Sequence, residues 1–432
     1  MARILLVTQY YPPEIGAIPT YTSEMAARLV HRGHEVTVLT TLPNYPTGIV
    51  HPDYRRGANR REVRDGVTVV RVWSATSPGK GFIHRLAAYL SFTCLAPFAA
   101  ARSVGHPDII IGVAPPLFTS IATRLLARRK HCPFIFNVGD LWPESAIQLG
   151  VLQNRLLIWL AERLEWSTYR RAGAIWALTE GIRDTLVRRG VSATKVFMLP
   201  LGVDTARFSP LPRAEARAML GMDDRFTLLY AGNIGLAQGL STVIEAATEL
   251  RDHPDVRLLM VGNGTAKADL VAEARRRGLE NVVFVDSQPP EHMPAIIAAA
   301  DACLVSLRKL PLFDGALPSK MFEYMACARP LVLSVDGEAR RVAERDAEAA
   351  IFVEPENATA LASAVRALRD DPRLGPRLGA NGRAYVHAHY DRDHLVTMLE
   401  ARIDALLRRH ESPSMLRQTT SGAVASGRGS AD

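Results

Sequence analysis

Cysteine is scarce in this chain: four in 432 residues, at positions 94, 132, 303 and 327. None stands in a C-x-x-C pair and each has apolar neighbours, which argues against a disulfide framework and predicts reduced core residues. A long apolar run at the start is also missing. Ile4-Leu5-Leu6-Val7 follows Arg3 directly. That run is too short for the core of an export signal and suits a first strand, so a cytoplasmic protein is expected. No basic stretch is interleaved with aromatic residues, which argues against nucleic acid as a partner. The formal charge of +8 is not gathered in one block and suits phosphorylated ligands or anionic lipid surfaces. No cluster of residues has metal-ligand spacing, so no obligatory metal or other cofactor is expected. Short repeats are lacking. Neither opening strand leads into a full G-x-G-x-x-G with an acidic residue about twenty further on, which disfavours a dinucleotide oxidoreductase.

What is present is an even balance of 48% apolar and 22% charged residues, in a chain long enough for two domains with their own cores. Short apolar runs alternate with helical periodicity from end to end, the pattern of an α/β protein with parallel sheets. The first series predicts strands at 3–8, 35–40, 67–72, 109–112, 134–138, 174–177 and 196–199. Tyr21, Met25 and Leu29, with Ala26 and Val30 beside them, mark a helix face that Gly33 ends. The second series predicts strands at 227–231, 256–261, 282–285, 302–306, 331–334 and 351–353. Two such series imply two Rossmann-like domains, joined near 202–212, where Gly and Pro break the periodicity. The expected division is 1–205, 206–390, a helix over 391–410 and a disordered Ser-, Gly- and Thr-rich tail over 411–432.

Residues 81–102 stand apart. The stretch 86–101 carries no charge, includes Phe92 and Phe98, and is flanked by Lys80, Arg85 and Arg102. It is shorter than the roughly twenty apolar residues of a spanning helix and contains Pro97. Two readings stay open: contact with a membrane interface through 81–102, or a buried helix. The stretch 156–166, with Arg155, Arg163, Arg170 and Arg171 around it, could join the same surface, although core packing is its plainer role.

Candidate chemistry collects at the carboxyl ends of strands, where open α/β sheets bind ligands. After the first strand comes Tyr11-Pro12-Pro13-Glu14-Ile15-Gly16, in which Gly16 lets backbone approach a phosphate or sugar; a plain turn would read the same. After 134–138 comes Gly139-Asp140-Leu141-Trp142-Pro143-Glu144. Asp140 can accept a proton from an attacking hydroxyl, hold a sugar hydroxyl, or serve as a helix cap. Trp142 can face a sugar, and Glu144 can share the face of Asp140. In the second series, 232–239 holds three glycines between a strand and a helix, a loop whose amides can reach a diphosphate. Gly262 repeats the strand-then-glycine pattern. Pro318 and Ser319 look like a helix start, with Lys320 in the first turn for a pyrophosphate and Glu323 one turn on for ribose hydroxyls. A cap, a solvated charge and a salt bridge would give the same three residues.

Together these segments resemble glycosyltransferase family 4 over nearly the whole chain, from Arg3 to about Arg409. The specific pieces are Leu199-Pro200-Leu201-Gly202-Val203-Asp204, the glycine loop from Gly232 to Gly239, and Pro318 to Pro330 with Glu323-Tyr324-Met325-Ala326. The subgroup it is most similar to is the L-fucosamine and colanic-acid-type transferases of bacterial surface polysaccharide synthesis. The resemblance implies a GT-B fold: two Rossmann-like domains facing each other across a cleft, the first binding acceptor and the second nucleotide-sugar, with the C-terminal helix returning to the first. It implies a retaining transfer from a nucleotide-diphosphate donor, expected to be UDP-linked and to carry an N-acetylated or deoxy sugar. The implied acceptor is a membrane-associated glycan or a polyprenyl-diphosphate-linked sugar. Asp140 and Lys320 would be catalytic. Gly16, Asn233, Gln238, Gly239, Gly262, Ser319, Lys320 and Glu323 would hold the donor, and Glu14, Trp142 and Glu144 the acceptor. The sequence departs from the family where Arg and Lys commonly sit in the glycine loop: Asn233 and Gln238 stand there. Gly315, beside Asp314, replaces the first of two glutamates, and Gly139 replaces the active-site His. Lys320, Arg308 or Lys309 would supply the missing charge. These departures leave a second reading, a catalytically impaired scaffold in an envelope assembly complex.

Overall fold

The computed structural model describes residues 1–14, 16–45, 47–55, 60–78, 82–148, 150 and 152–424, the side chains of 82–83 and 411–424 excepted. The chain divides into two units, Met1–Pro200 with the segment from Leu395 onward, and Leu201–His394.

Unit 1 runs β1 (Arg3–Val7), α1 (Ala17–His31), β2 (Glu35–Thr41), β3 (Arg61–Arg64), β4 (Val67–Val72), α2 (Phe82–Ser103), β5 (Ile109–Ala114), α3 (Thr119–Lys130), β6 (Phe134–Val138), α4 (Glu144–Gln148), α5 (Arg155–Arg171), β7 (Ala174–Ala177), α6 (Glu180–Arg188) and β8 (Val196–Met198). Its eight strands lie in the order β3-β4-β2-β1-β5-β6-β7-β8. Every residue of β5 and β6 is buried, which is why both read as unbroken apolar runs: helices cover the two faces of a parallel sheet. The order reverses at β1, which pairs with β2 on one side and β5 on the other. Such a switch point opens a crevice at the carboxyl edge.

Unit 2 runs α7 (Arg213–Leu220), β9 (Phe226–Ala231), α8 (Ser241–Glu249), β10 (Val256–Val261), α9 (Lys267–Arg276), β11 (Val282–Val285), α10 (Met293–Ala299), β12 (Ala302–Ser306), α11 (Ser319–Ala326), β13 (Leu331–Ser334), α12 (Glu338–Arg340), β14 (Ala350–Phe352), α13 (Ala358–Asp370) and α14 (Leu374–His389). Six parallel strands in the order β11-β10-β9-β12-β13-β14 place the switch point between β9 and β12. Two apolar clusters hold the helices of this unit to its sheet, one around Leu229, Phe322 and Met325, the other around Leu228, Ile244 and Leu258. A final helix, α15 (Arg392–Val424), begins in unit 2 and continues as part of unit 1. Within unit 1, Leu406 of α15 sits against Gly173, and Glu400 takes Arg32 at 2.5 Å and His34 at 3.0 Å.

All thirteen expected strands are present, with ends shifted by two residues at most. One more, β3, was not legible: Arg61-Glu62-Val63-Arg64 has no apolar run, pairs antiparallel to β4, and sits at the sheet edge, where charge is tolerated. The uncharged stretch 86–101 forms α2, packed on β2, β4 and α3. Phe92, Ala96 and Ala100 make its buried stripe, at i, i+4 and i+8, while Leu90, Leu95 and Phe98 are exposed. Phe92 therefore belongs to the core, and only the other side of this helix meets solvent. Among the cysteines, Cys303 and Cys327 are buried as expected; Cys94 is exposed, a correction that follows from its place on the solvent side of α2. Of the disordered tail expected over 411–432, residues 411–424 instead continue the backbone of α15, a correction to that reading, and 425–432 lie outside the described residues.

Candidate active site

The second unit gathers its candidates at the β9–β12 switch point. Leaving β9, the chain turns at Gly232, and a Cβ there would stand 2.9 Å from the Lys320 ammonium. The φ of 135° at Gly232 also favours glycine there. Gly262, at the end of β10, has φ 145°, and a Cβ on it would collide with the Gly232 carbonyl, so the two strand ends meet backbone to backbone. Beyond Gly232 the loop is closed by its own side chains. Gln238 Oε1 accepts from the Gly235 amide at 3.1 Å, Tyr230 donates its hydroxyl to the Asn233 carbonyl at 2.6 Å, and Ser306 donates to the Gln238 carbonyl at 2.7 Å. Asn233 is exposed, and Gly239 turns left-handed (φ 59°) just ahead of α8.

Helix α11 delivers the charge. Pro318 precedes it and Ser319 opens it, leaving first-turn amides directed outward. Tyr324 fixes the helix to the strand: its hydroxyl accepts from the Ala231 amide at 2.9 Å and donates to the Ala231 carbonyl at 3.1 Å. Arg383 of α14 ties the other end by donating to the Ala326 carbonyl at 2.9 Å. Between these anchors Lys320 lies half-buried with its ammonium 3.8 Å from the centre of the Tyr230 ring. Burial pulls its pKa down to about 7, against a smaller upward pull from Glu323. Glu323 is half-buried too; burial pushes its pKa up to about 7, opposed by Lys320 and Arg207.

Three cations were open as the source of charge, and the structure separates them. Arg308 pairs with Glu356 at 3.2 Å and Lys309 with Glu354 at 2.7 Å. Lys320 makes no ion pair or hydrogen bond among the described residues. It is a desolvated cation held by a ring and one acidic neighbour, the electrostatic state that an incoming anion relieves. Asp314, beside Gly315, is exposed; its carbonyl takes the Glu338 amide at 2.7 Å.

In the first unit the candidates lie beyond β1 and β6. Gly16 opens α1. Glu14 is buried, and its carboxylate accepts the amides of Tyr11 at 3.2 Å and of Asn44 and Tyr45 at 2.9 Å each. It thereby ties the loop after β1 to the loop after β2. Burial raises its pKa against those bonds. A cavity of about 300 Å³ adjoins it, lined in part by Asn44, Tyr45, His51 and Arg55. Asp140, past the end of β6, keeps an exposed edge. The dense surroundings of its carboxyl raise its pKa, and Ser145 Oγ donates to it at 2.7 Å. Glu144 opens α4 and is taken by Arg189. A Cβ at Gly139 would stand 2.8 Å from the Ala114 carbonyl oxygen, so the place of the usual His is closed by the approach of the paired β5 and β6.

Sequence reasoning missed an aromatic row on this edge. Tyr45 and Tyr10 have ring centres 5.5 Å apart, the Tyr10 and Tyr89 hydroxyls lie 3.3 Å apart, Tyr89 stacks on Phe118 at 6.1 Å, and Phe118 meets Trp142 at 5.9 Å. All five come from separate loops and helices, so no spacing in the sequence could have joined them; only Trp142 stood out as a sugar-facing candidate.

Residues 16–202 match a family model described as a glycosyl transferase 4-like domain, and residues 213–385 match one described as glycosyl transferases group 1. The putative colanic acid biosynthesis glycosyl transferase WcaI of Escherichia coli (strain K12) is 30% identical over 404 residues, covering 91% of this chain and 98% of that protein. A GDP-mannose-dependent alpha-(1-6)-phosphatidylinositol monomannoside mannosyltransferase of Mycolicibacterium smegmatis is 27% identical, covering 89% and 93%. Among solved structures, Anabaena Alr3699/HepE in complex with UDP and glucose superposes with a TM-score of 0.71 at 17% identity, covering 94% of this chain and 100% of that one.

Proposed function

This chain belongs to the glycosyltransferases of the family 4-like, group 1 type and has their GT-B fold, and from that premise we propose that it makes a surface polysaccharide or glycolipid by a retaining transfer from a nucleotide-diphosphate sugar. The observation that carries this reading is Lys320: an ammonium without an ion-pair partner among the described residues, in the first turn of a helix, beside a loop whose Gly232 leaves room for it. In the proposed reaction the bond between the anomeric carbon and the diphosphate oxygen breaks. The charge gathering on the leaving diphosphate is met by Lys320 and by amides near Gly239 and Ser319. Glu323 accepts ribose hydroxyls, with Asn233, Gln238 and Gly262 bordering the donor. The acceptor hydroxyl attacks the same face of the oxocarbenium-like sugar and gives its proton to the departing phosphate oxygen, and Asp140 orients that hydroxyl. This scheme calls for no metal.

On the acceptor side, the row from Tyr45 to Trp142 offers ring faces and hydroxyls to sugars, and the acceptor is proposed to be membrane-associated, a glycan or a polyprenyl-diphosphate-linked sugar. The donor is proposed to be UDP-linked; relatives whose names specify GDP-mannose make a GDP-sugar the competing choice. The test is incubation of the protein with UDP- and GDP-sugars, each with a polyprenyl-diphosphate-sugar, with products read by mass. A product heavier by one glycosyl residue from a single donor class is expected. No glycosyl transfer from any donor, together with no saturable nucleotide binding, would leave the scaffold reading in its place.

A further inference from the structure

The helix α5 is half buried and half bare along its length. Its first buried residue is Ala161, followed by Glu165, Thr168 and Tyr169. Before Ala161 the helix presents Leu156 (64% exposed), Leu157 (40%), Trp159 (48%) and Leu160 (48%) to solvent. This is a formed helix end, since Asn154 Oδ1 accepts from the Leu156 and Leu157 amides at 3.0 and 3.2 Å. Four large apolar side chains within five residues form a patch that is costly to leave in water and marks an interaction surface.

The charges around it name the partner. Arg155, Arg163, Arg170 and Arg171 share the helix with a single exposed acid, Glu162. Arg163 lies over the Trp159 ring at 4.6 Å, and neither Arg155 nor Arg163 has an ion pair among the described residues. On the adjoining α3, Leu125 is exposed, as are Arg128 and Arg129. A tryptophan and leucines bordered by arginines match the acyl–headgroup boundary of an anionic bilayer, with apolar groups below the phosphates and guanidinium groups among them. No described helix is long and apolar enough to cross a membrane. Because α5 leads back into β7, which is parallel to β6, its bare end points to the carboxyl edge of the sheet, the edge that carries Asp140 and Trp142.

We propose that the first two turns of α5, through Leu156, Leu157, Trp159 and Leu160 with Arg155 and Arg163, dock unit 1 on the surface of an anionic lipid membrane. The docked face then lies on the sheet edge where a lipid-carried acceptor would be met. Vesicle binding is measured without donor or acceptor, so its outcome is independent of the proposed transfer.

The experiment is co-sedimentation of the full chain with vesicles of phosphatidylcholine containing one-third phosphatidylglycerol, beside vesicles of phosphatidylcholine alone. The wild type is expected to pellet with the anionic vesicles only, and less so as salt is raised. Changing Leu156→Ser, Trp159→Ser and Leu160→Ser together is expected to lower the bound fraction about tenfold, with thermal unfolding unchanged because these side chains are exposed. Arg155→Gln with Arg163→Gln, which leaves the apolar surface intact, is expected to remove the preference for anionic vesicles. A wild type that stays in the supernatant with both vesicle types, or a folded triple variant that pellets like the wild type, would overturn the proposal. So would a vesicle-free dimer that the triple variant abolishes, which would assign this face to self-association.

Discussion

Lys320 and Glu323 are one helical turn apart, and burial moves each toward neutrality from opposite sides. In the folded protein Lys320 sits near 7, below the roughly 10.4 of a free lysine. Across that window the unfolded chain holds a proton that the folded chain lacks, so this group makes stability rise with pH. Glu323 also sits near 7, above the roughly 4.3 of a free glutamate. Across that lower window the folded chain holds the extra proton, so stability falls as pH rises. The two effects meet in a stability minimum near neutrality. Urea melts from pH 4 to 10 should show this dip in the wild type, and Lys320→Met with Glu323→Gln should flatten it. Lys320→Ala should cut turnover by about 10²-fold while weakening nucleoside binding less; equal losses in both would speak against a role on the leaving group. Asp140→Asn should lower turnover by about 10²-fold at unchanged donor affinity. The identity of Lys320 and Glu323 was legible in the sequence because Pro318-Ser319 announces a helix start. That Lys320, rather than Arg308 or Lys309, is the cation without an ion pair among the described residues was not, because it depends on Arg308 and Lys309 finding Glu356 and Glu354 about fifty residues away in the chain.

At the scale of elements, the placement of α11 rests on the Tyr324 hydroxyl, which makes two hydrogen bonds to the backbone of Ala231. Removing it leaves a buried amide and carbonyl unsatisfied. Tyr324→Phe is therefore expected to cost about 1–3 kcal/mol in chemical denaturation and to weaken nucleotide binding, although its hydroxyl is buried against the Ala231 backbone. Strands were the most legible part of the sequence: β5, β6, β9 and β12 are buried on both faces and read as apolar runs. Where burial is one-sided or absent, the reading failed or stayed open. β3 is charged at three of its four positions, and the interior role of Phe92 became apparent only when α2 was seen to pack through Phe92, Ala96 and Ala100. The exposed start of α5 was legible as composition and illegible as geometry, because an apolar run with basic neighbours has the same spelling in a core helix and at a lipid surface.

For the molecule as a whole, each unit is a Rossmann-like sheet whose strand order reverses once, at β1 in the first and between β9 and β12 in the second. In each, the candidate residues lie on loops and helix starts that follow the carboxyl ends of strands. Under the proposed function, two units of the same design would separate recognition of an anionic leaving group from recognition of an acceptor: the second unit holds Lys320 and Glu323, the first the aromatic row. A ligand that occupies the second unit should stabilise it by about 2.7 kcal/mol at a hundred times its dissociation constant. The central claim, that Lys320 and the start of α11 hold the diphosphate of a nucleotide donor, is tested most directly by calorimetric titration of UDP and GDP into the wild type, Lys320→Ala, Glu323→Ala and the control Lys309→Ala. Saturable binding of one nucleotide is expected for the wild type and for Lys309→Ala, with severe weakening in the other two variants. Equal affinity in Lys320→Ala and Lys309→Ala, or no nucleotide binding to the wild type, would contradict it.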